Sequence, residues 1–312
     1  MRLFLTCLLL LTRLPAVAGL GGYAGASLRL GTNARSVALG GALVADLNRG
    51  YSALANPASA TYVNRAEVGL SYIALPLNRS LQSISTTFFL PPTAAVGLSY
   101  LRAGDDQIQG RNSIGQPTGD LSYAEQFAIL TFANQLTPTI SVGMNAKLLL
   151  IALADEDSRG FAIDVGVLYR RSSGLSLAVR AENVTGSYSW RVAAESGEQA
   201  YVDYLPLILS GGTRLPWRQF TFFAQLDLVY PRLAQDKGIA LADPILLIRA
   251  AMETLVEERL FVRGGWDGSA PTLGVGLQYA IRKPADSRVD YSLLLGRGRE
   301  GFGHLFTWVF GL

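Results

Sequence analysis

One histidine and one cysteine narrow the chemistry open to this 312-residue chain. A serine–histidine couple or a histidine-based metal site would have to be built on His304. That residue heads the last strand-like segment, where an interfacial or lumenal packing role is the simpler reading. Cys7 lies within the first eighteen residues, so the rest of the chain has no thiolate for zinc or redox chemistry. Asp155-Glu156-Asp157 and Asp105-Asp106 offer the carboxylate oxygens that calcium takes. They lack EF-hand spacing and read as solvated charge. Gly296-Arg297-Gly298-Arg299-Glu300-Gly301 has the glycines of a phosphate cradle, but no helix follows to aim N–H groups at an anion, so it reads as a flexible loop. The expectation is no catalytic residue, no metal, no cofactor and no enzymatic activity.

The polar residues that remain recur at alternate positions, opposite apolar partners. They are Asn145, Lys147, Asp164, Arg180, Glu182, Gln225, Asp227, Arg249, Glu253, Arg263 and Gln278. Both signs of charge are present. Such a set either forms a satisfied network that holds a narrow lumen shut or lines a path for solute. Mixed charge disfavours a strongly ion-selective pore. Lys147, Asp164, Arg180, Asp227, Arg249 and Glu253 are the candidates for lining the lumen.

Elements that could place these residues are strands. Ile140, Val142, Met144, Ala146, Leu148 and Leu150 face one way, and Ser141, Gly143, Asn145 and Lys147 the other. Phe161, Ile163, Val165, Val167 and Tyr169 oppose Asp164 and Arg170, and Phe220, Phe222, Leu226 and Leu228 oppose Gln225 and Asp227. Leu273, Val275, Leu277, Tyr279 and Ile281 oppose Thr272, Gly274, Gly276 and Gln278. Period two over this length signals a strand. Only 16% of residues are charged and 49% are hydrophobic, against about 25% charged in a soluble domain. After residue 18 no apolar run reaches the roughly 18 residues a spanning helix needs, so a membrane-crossing chain of this kind must close a β-barrel. A soluble β-sandwich or propeller would not explain apolar faces on nearly every strand beside so few charges.

The fold expected is therefore all-β, a transmembrane outer-membrane β-barrel of about fourteen antiparallel strands. Strands are placed at 65–73, 81–90, 94–103, 121–133, 139–152, 159–170, 175–182, 202–215, 219–230, 245–256, 259–266, 271–281, 288–296 and 302–312. A missed or invented hairpin would give twelve or sixteen. Connections at 90–93, 171–174, 216–218 and 257–258 are tight, and those at 104–120, 183–201 and 231–244 are long. Outer-membrane barrels put short turns in the periplasm and long loops outside.

Residues 1–18 read as a signal peptide, with Arg2, an apolar core from Leu3 to Leu11, and Ala16-Val17-Ala18 before the cut. Removing Arg2 and Arg13 from the formal charge of +3 leaves the mature chain near +1. That charge gives no basis for a nucleic-acid partner. Residues 19–64 differ from the rest, being Ala/Gly/Leu-rich and then turn-rich. They are expected to form a plug or cap at the periplasmic mouth, leaving 65–312 as the barrel.

That N-terminal block carries the most specific pattern. Leu28-Arg29-Leu30-Gly31-Thr32-Asn33-Ala34-Arg35-Ser36-Val37-Ala38-Leu39-Gly40-Gly41-Ala42 is followed by Ser52-Ala53-Leu54-Ala55-Asn56-Pro57-Ala58. It resembles the PorV/PorQ-like outer-membrane proteins, relatives of the FadL long-chain fatty-acid transporters. Their members read G-x-x-A-R-x-x-x-L/M-G-G-A-F, then an acidic patch, then S-x-x-x-N-P-A. The aromatic Gly303-His304-Leu305-Phe306-Thr307-Trp308-Val309-Phe310 resembles the family's closing strand. Two departures stand out. Asp46-Leu47-Asn48-Arg49-Gly50-Tyr51 replaces a D-D pair, and Gly311-Leu312 follows the terminal aromatic. The resemblance implies a fourteen-stranded barrel with an N-terminal segment folded into its periplasmic mouth.

Elementary physics gives the same residues work to do. Pro57 pushes Asn56 out of the helical region, and Asn56 can bond its own backbone two residues on, so the N-P-A turn is stiff. Gly40-Gly41 permits positive φ or close backbone approach. Arg35 in a narrow lumen calls for an acidic partner, with Asp164, Asp227 and Glu253 as candidates. The plug motif is thus Arg35, Gly40, Gly41, Asn56, Pro57 and Ala58. Two functions follow. The first, which the resemblance favours, is a non-enzymatic accessory or substrate-handling part of type IX-like protein secretion. Its partners would be secreted proteins or apparatus subunits. The second is a FadL-like passage for hydrophobic small molecules, guided by the plug and a lateral gap between strands. Both place the protein in the outer membrane, in contact with its lipid.

Overall fold

The computed structural model describes residues 22–47, 51–63, 65–194, 197–235, 238–280, 287–295 and 301–312; the expected signal peptide and residues 296–300 lie outside these. The wall is an up-and-down meander. Its strands are β1 (Glu67–Ala74), β2 (Ser80–Leu90), β3 (Ala94–Arg111), β4 (Pro117–Thr137), β5 (Ile140–Leu153), β6 (Glu156–Arg170) and β7 (Ser176–Ala194). Then come β8 (Gly197–Tyr204), β9 (Leu207–Trp217) and β10 (Phe220–Tyr230), a small separate hairpin of β11 (Arg232–Gln235) and β12 (Gly238–Leu241), and β13 (Ile245–Val256). The wall ends with β14 (Leu260–Trp266), β15 (Pro271–Tyr279), β16 (Ser287–Leu295) and β17 (Phe302–Gly311). β1 pairs with β17 from Glu67↔Gly311 to Ala74↔His304, and β6 with β7, so the ring is closed. β8 and β9 form one stave against β7, which makes fourteen antiparallel staves. Closure leaves the spanning wall no open edge, which is the condition for standing in lipid.

Alternation sorts the side chains. Leu98, Leu130, Leu148, Val179, Leu226 and Leu277 are all about half exposed on the outside. An apolar surface running round a whole barrel is stable only in a bilayer, so the chain is an outer-membrane β-barrel. Strands turn tightly at the end that carries Glu67 and Gly311, and by the short-turn rule this end is periplasmic.

Two expectations need correction. Residues 104–111, 117–120, 183–194 and 197–201 are strand, not loop. The β3–β4 ladder continues to Gly110↔Gly119, and β7–β8 pairs from Ser187↔Tyr204 to Ala194↔Gly197. The first six residues of β4 are exposed on both faces, because both faces of a projecting ladder are wet. Apolar alternation is lost there although the hydrogen bonds go on. Residues 231–244 likewise contain the β11–β12 hairpin. Secondly, the strand read at 202–215 is split at Leu205-Pro206. Proline has no N–H for the ladder, and pairing with β7 lapses between Glu182↔Ile208 and Ser187↔Tyr204. Opposite the lapse, β7 bulges against β6 between Ile163 and Val165, with Asn183 at φ 54°.

Candidate binding site in the lumen

The N-terminal segment lies inside the barrel over much of its depth. It reaches from Gly25, against Leu205 in the upper half, to Thr61, bonded to Ser141 near the periplasmic turns. It is thus deeper than a cap on the periplasmic mouth. Its short helix, Ala34–Ala38, starts on Asn33, whose side chain accepts from Ser36 N at 2.8 Å. Thr307 of the wall accepts from Ala34 N at 2.8 Å. After the helix, Gly40 and Gly41 take φ values of 57° and 70°. A Cβ on Gly40 would lie 2.5 Å from the Trp266 carbonyl oxygen, and one on Gly41 2.5 Å from Arg249 Nη1. Gly40 therefore excludes a side chain by conformation and by space, and Gly41 by conformation, since its near neighbour is the movable end of Arg249.

The N-P-A turn docks on the wall. Asn56 is fully buried; its Oδ1 accepts from Ala58 N at 3.0 Å and its Nδ2 donates to Val44 O at 2.8 Å. Pro57 opens a 3-10 helix, Pro57–Tyr62. Gly143 and Gly166 face each other across β5 and β6 and receive the turn. A Cβ on Gly143 would stand 2.5 Å from Ala58 N, and one on Gly166 would overlap Asn56 Oδ1.

All six expected lumen-lining residues point inward, and each is paired. Lys147 meets Asp164 at 2.7 Å and Glu182 at 3.3 Å, and Glu182 meets Arg180 at 2.8 Å. Arg180 also donates to Ala55 O at 2.7 Å, which ties this cluster to the N-terminal segment. Arg249 bonds Asp227 at 2.7 Å and Gly40 O at 2.9 Å. Glu253 is the carboxylate Arg35 meets, at 2.9 Å, and Asp46 is its second partner at 2.7 Å. From Glu253 the chain of charges continues to Arg263 at 2.6 Å, to Asp290 at 2.6 Å and to Arg288 at 2.7 Å. Burial works against the Arg35 charge, yet Asp46 and Glu253 outweigh it and hold the guanidinium protonated well beyond its ordinary range. Asp46, Arg288 and Asp290 were missed by the sequence reading. Arg288 and Asp290 stand two apart on one strand, which is the same period-two signal that found the others. His304 lies on the outer face, its Nδ1 2.9 Å from the Tyr291 hydroxyl, and takes no part in the lumen.

The segment divides the lumen into two chambers. The upper, about 530 Å³, opens among the tops of the strands near Leu75, Ala270 and Leu294. Leu30, Val37, Leu43, Ile208, Val229 and Leu247 line it, with Arg180, Asp227 and Arg249 on one side. Its floor is an apolar layer of Leu39, Ala42, Leu43, Phe223 and Ala251. Ala251 sits between Arg249 above and Glu253 below on β13, and Phe223 lies two residues below Gln225 on β10, which fixes the order. Beneath is a chamber of about 180 Å³ lined by Arg35, Asp46, Arg214, Glu253 and Arg288.

Known structures share this architecture. The CymD monoaromatic hydrocarbon channel aligns with a TM-score of 0.65 and 12% identity over 91% of this chain and 98% of that one. The Ralstonia pickettii toluene transporter TbuX gives 0.63 and 13% over 90% and 98%. A Pseudomonas aeruginosa FadL homologue gives 0.57 and 9% over 89% and 97%. The barrel has the fold of these outer-membrane proteins. No protein-family model and no curated protein matches the chain by sequence. At such identities the likeness carries fold alone. It reaches the FadL-related barrels and gives no support to the narrower PorV/PorQ type.

Proposed function

We propose that this barrel admits small hydrophobic molecules across the outer membrane, with the upper chamber as its binding site. The observation that carries the reading is the chamber itself. It is open to the outside, lined by aliphatic side chains among polar ones, floored by an apolar layer, and of the 300–1,000 Å³ size typical of small-ligand sites. The charged groups beside it are already paired, so they shape the wall without demanding a charged cargo. Two ways on are open to a bound molecule. One is downward, if the segment carrying Leu39 to Leu43 moves. The other is sideways, where the ladder lapses beside Glu182 and Ile208. The printed descriptions of CymD and TbuX, a monoaromatic hydrocarbon channel and a toluene transporter, support this cargo class. This reverses the order suggested by the N-terminal motif, since the secretion role has no comparable observation behind it.

The test is uptake of labelled toluene by cells whose outer membrane carries the protein as the sole such barrel. Wild type should admit it at least several-fold faster than cells without the barrel. Leu247→Trp, which fills the chamber, should lose most of that gain while the barrel still assembles. Equal rates with and without wild-type protein would refute the reading.

A further inference from the structure

A β-barrel is ordinarily convex toward lipid, but this one carries a recess of about 860 Å³ on its membrane face. Val142 and Met144 of β5, Val165 and Val167 of β6, Val179 and Ala181 of β7 line it, and Leu209, Leu226 and Leu246 continue it onto β9, β10 and β13. The recess is the reverse side of the N-P-A docking. Gly143 and Gly166 lack side chains on the inner face, so β5 and β6 sink onto Asn56, Pro57 and Ala58, and the outer surface dips where they do. The bulge of β7 against Asp164 ends the dip above.

The floor is sealed. Hydrogen-bonded register runs unbroken from Phe132↔Met144 through Gly143↔Gly166, Gly166↔Arg180, Arg180↔Ser210 and Asp227↔Ser210 to Leu228↔Leu246. The lapse in the ladder lies above this level, at 183–186. The recess is therefore a slot and not a port. It lies within the belt that faces lipid, so the bilayer fills it. An unfilled slot would forfeit the dispersion contacts of every side chain that lines it. The matching shape is a flexible single file of methylenes. β6 also supplies an anchor. It leaves the slot at Val167, passes Tyr169, and its chain goes on to the exposed Arg171 at the periplasmic rim. An aromatic and a cation in that order mark the headgroup level of a leaflet.

We infer that the slot is a binding site for one acyl chain of a phospholipid from the periplasmic leaflet, with its phosphate at the level of Arg171. Affinity comes from fit and from the headgroup, because slot and bilayer are equally apolar. The site stands whatever passes through the lumen.

The full mature protein, reconstituted in vesicles of phosphatidylethanolamine and phosphatidylglycerol and then released into mild detergent, tests this by native mass spectrometry. Wild type should retain phospholipid through detergent washes, and Leu148→Trp, a control on the convex wall, should retain as much. Ala181→Trp, which fills the slot from outside, should lower the retained lipid at least tenfold with heat-modifiable migration unchanged. Val165→Phe serves the same end if Ala181→Trp does not assemble. Arg171→Gln should weaken retention by a smaller factor. No retained phospholipid on wild type, or equal retention in the slot-filling variants, overturns the assignment. So does stoichiometric displacement by toluene, which would give the slot to the cargo. So does a cross-linked pair of barrels through Ala181→Cys, which would give it to a second copy.

Discussion

The two chambers of the lumen are built by the same short segment and could hardly differ more. The upper is open outward and lined by aliphatic side chains interleaved with polar and charged ones, Arg79 and Asp267 among them. The lower is small and walled by arginines and carboxylates bonded to one another. The upper one can receive a molecule; the lower one has its surfaces spent on holding the segment. One layer of five side chains, Leu39, Ala42, Leu43, Phe223 and Ala251, separates them, although Arg180 and Arg249 in the upper chamber also bond the segment, at Ala55 O and Gly40 O.

The largest effect should come from breaking the lower chamber's hub. Arg263 has no exposed side-chain surface and bonds Glu253 and Asp290 at once. Arg263→Ala takes one of two cationic partners from each carboxylate, leaving Glu253 only Arg35 and Asp290 only Arg288. Breaking these buried pairs should lower barrel stability by about 3–5 kcal/mol, read as a shift in the urea midpoint of folding into vesicles. Next is Arg35→Ala. It removes the segment's tie to Glu253 and leaves every bond between staves, at about 1.5–3 kcal/mol for the lost charged contact. The barrel should still assemble, yet conduct several-fold more in planar bilayers and lose residues 22–63 faster to added protease. An Arg35→Ala barrel as tight as wild type would mean that the lower chamber holds nothing.

A smaller effect is expected from Gly166→Val, which crowds Asn56 and should cost about 1–3 kcal/mol, again with faster proteolysis of the segment. Smaller still is Arg249→Met in the upper chamber. Its guanidinium is part-exposed and its loss leaves Gln225 on Asp227. Uptake should change by less than about tenfold, roughly 1.4 kcal/mol, with no change in conductance. If Arg249→Met leaks as Arg35→Ala does, the Arg249 bond to Gly40 O holds the segment as firmly as the lower chamber, and the division between chambers fails.

What the sequence revealed follows the solvent on each side. Within the bilayer, lipid and lumen force opposite demands on alternate residues, so all fourteen staves could be read with Ile140 to Leu150 or Leu273 to Tyr279 as guides. Above the bilayer that contrast vanishes, and the hairpins of β3–β4 and β7–β8 looked like loops. Pro206, which brings no N–H to a ladder, is the residue type that marks the split stave. Inside, the need of Arg35 for a carboxylate was legible from its place in a narrow lumen. Which one was not, since Glu253 lies 218 residues away and only the closed wall sets the distance. Asp46 stood in plain view as a departure from the motif, without a sign that it would turn back onto Arg35.

The join between β1 and β17 has a consequence in time. The first strand is made long before its partner, so the cylinder cannot shut until Phe302–Gly311 has arrived. The N-terminal segment precedes both. It must already be waiting where the lumen will form, since its helix is held by Thr307, a residue of that final strand. The last stave therefore seals the wall and fastens its contents in one event. A chain cut short before Phe302 should yield neither a leaky barrel nor an empty one, only an unclosed sheet for quality control to clear.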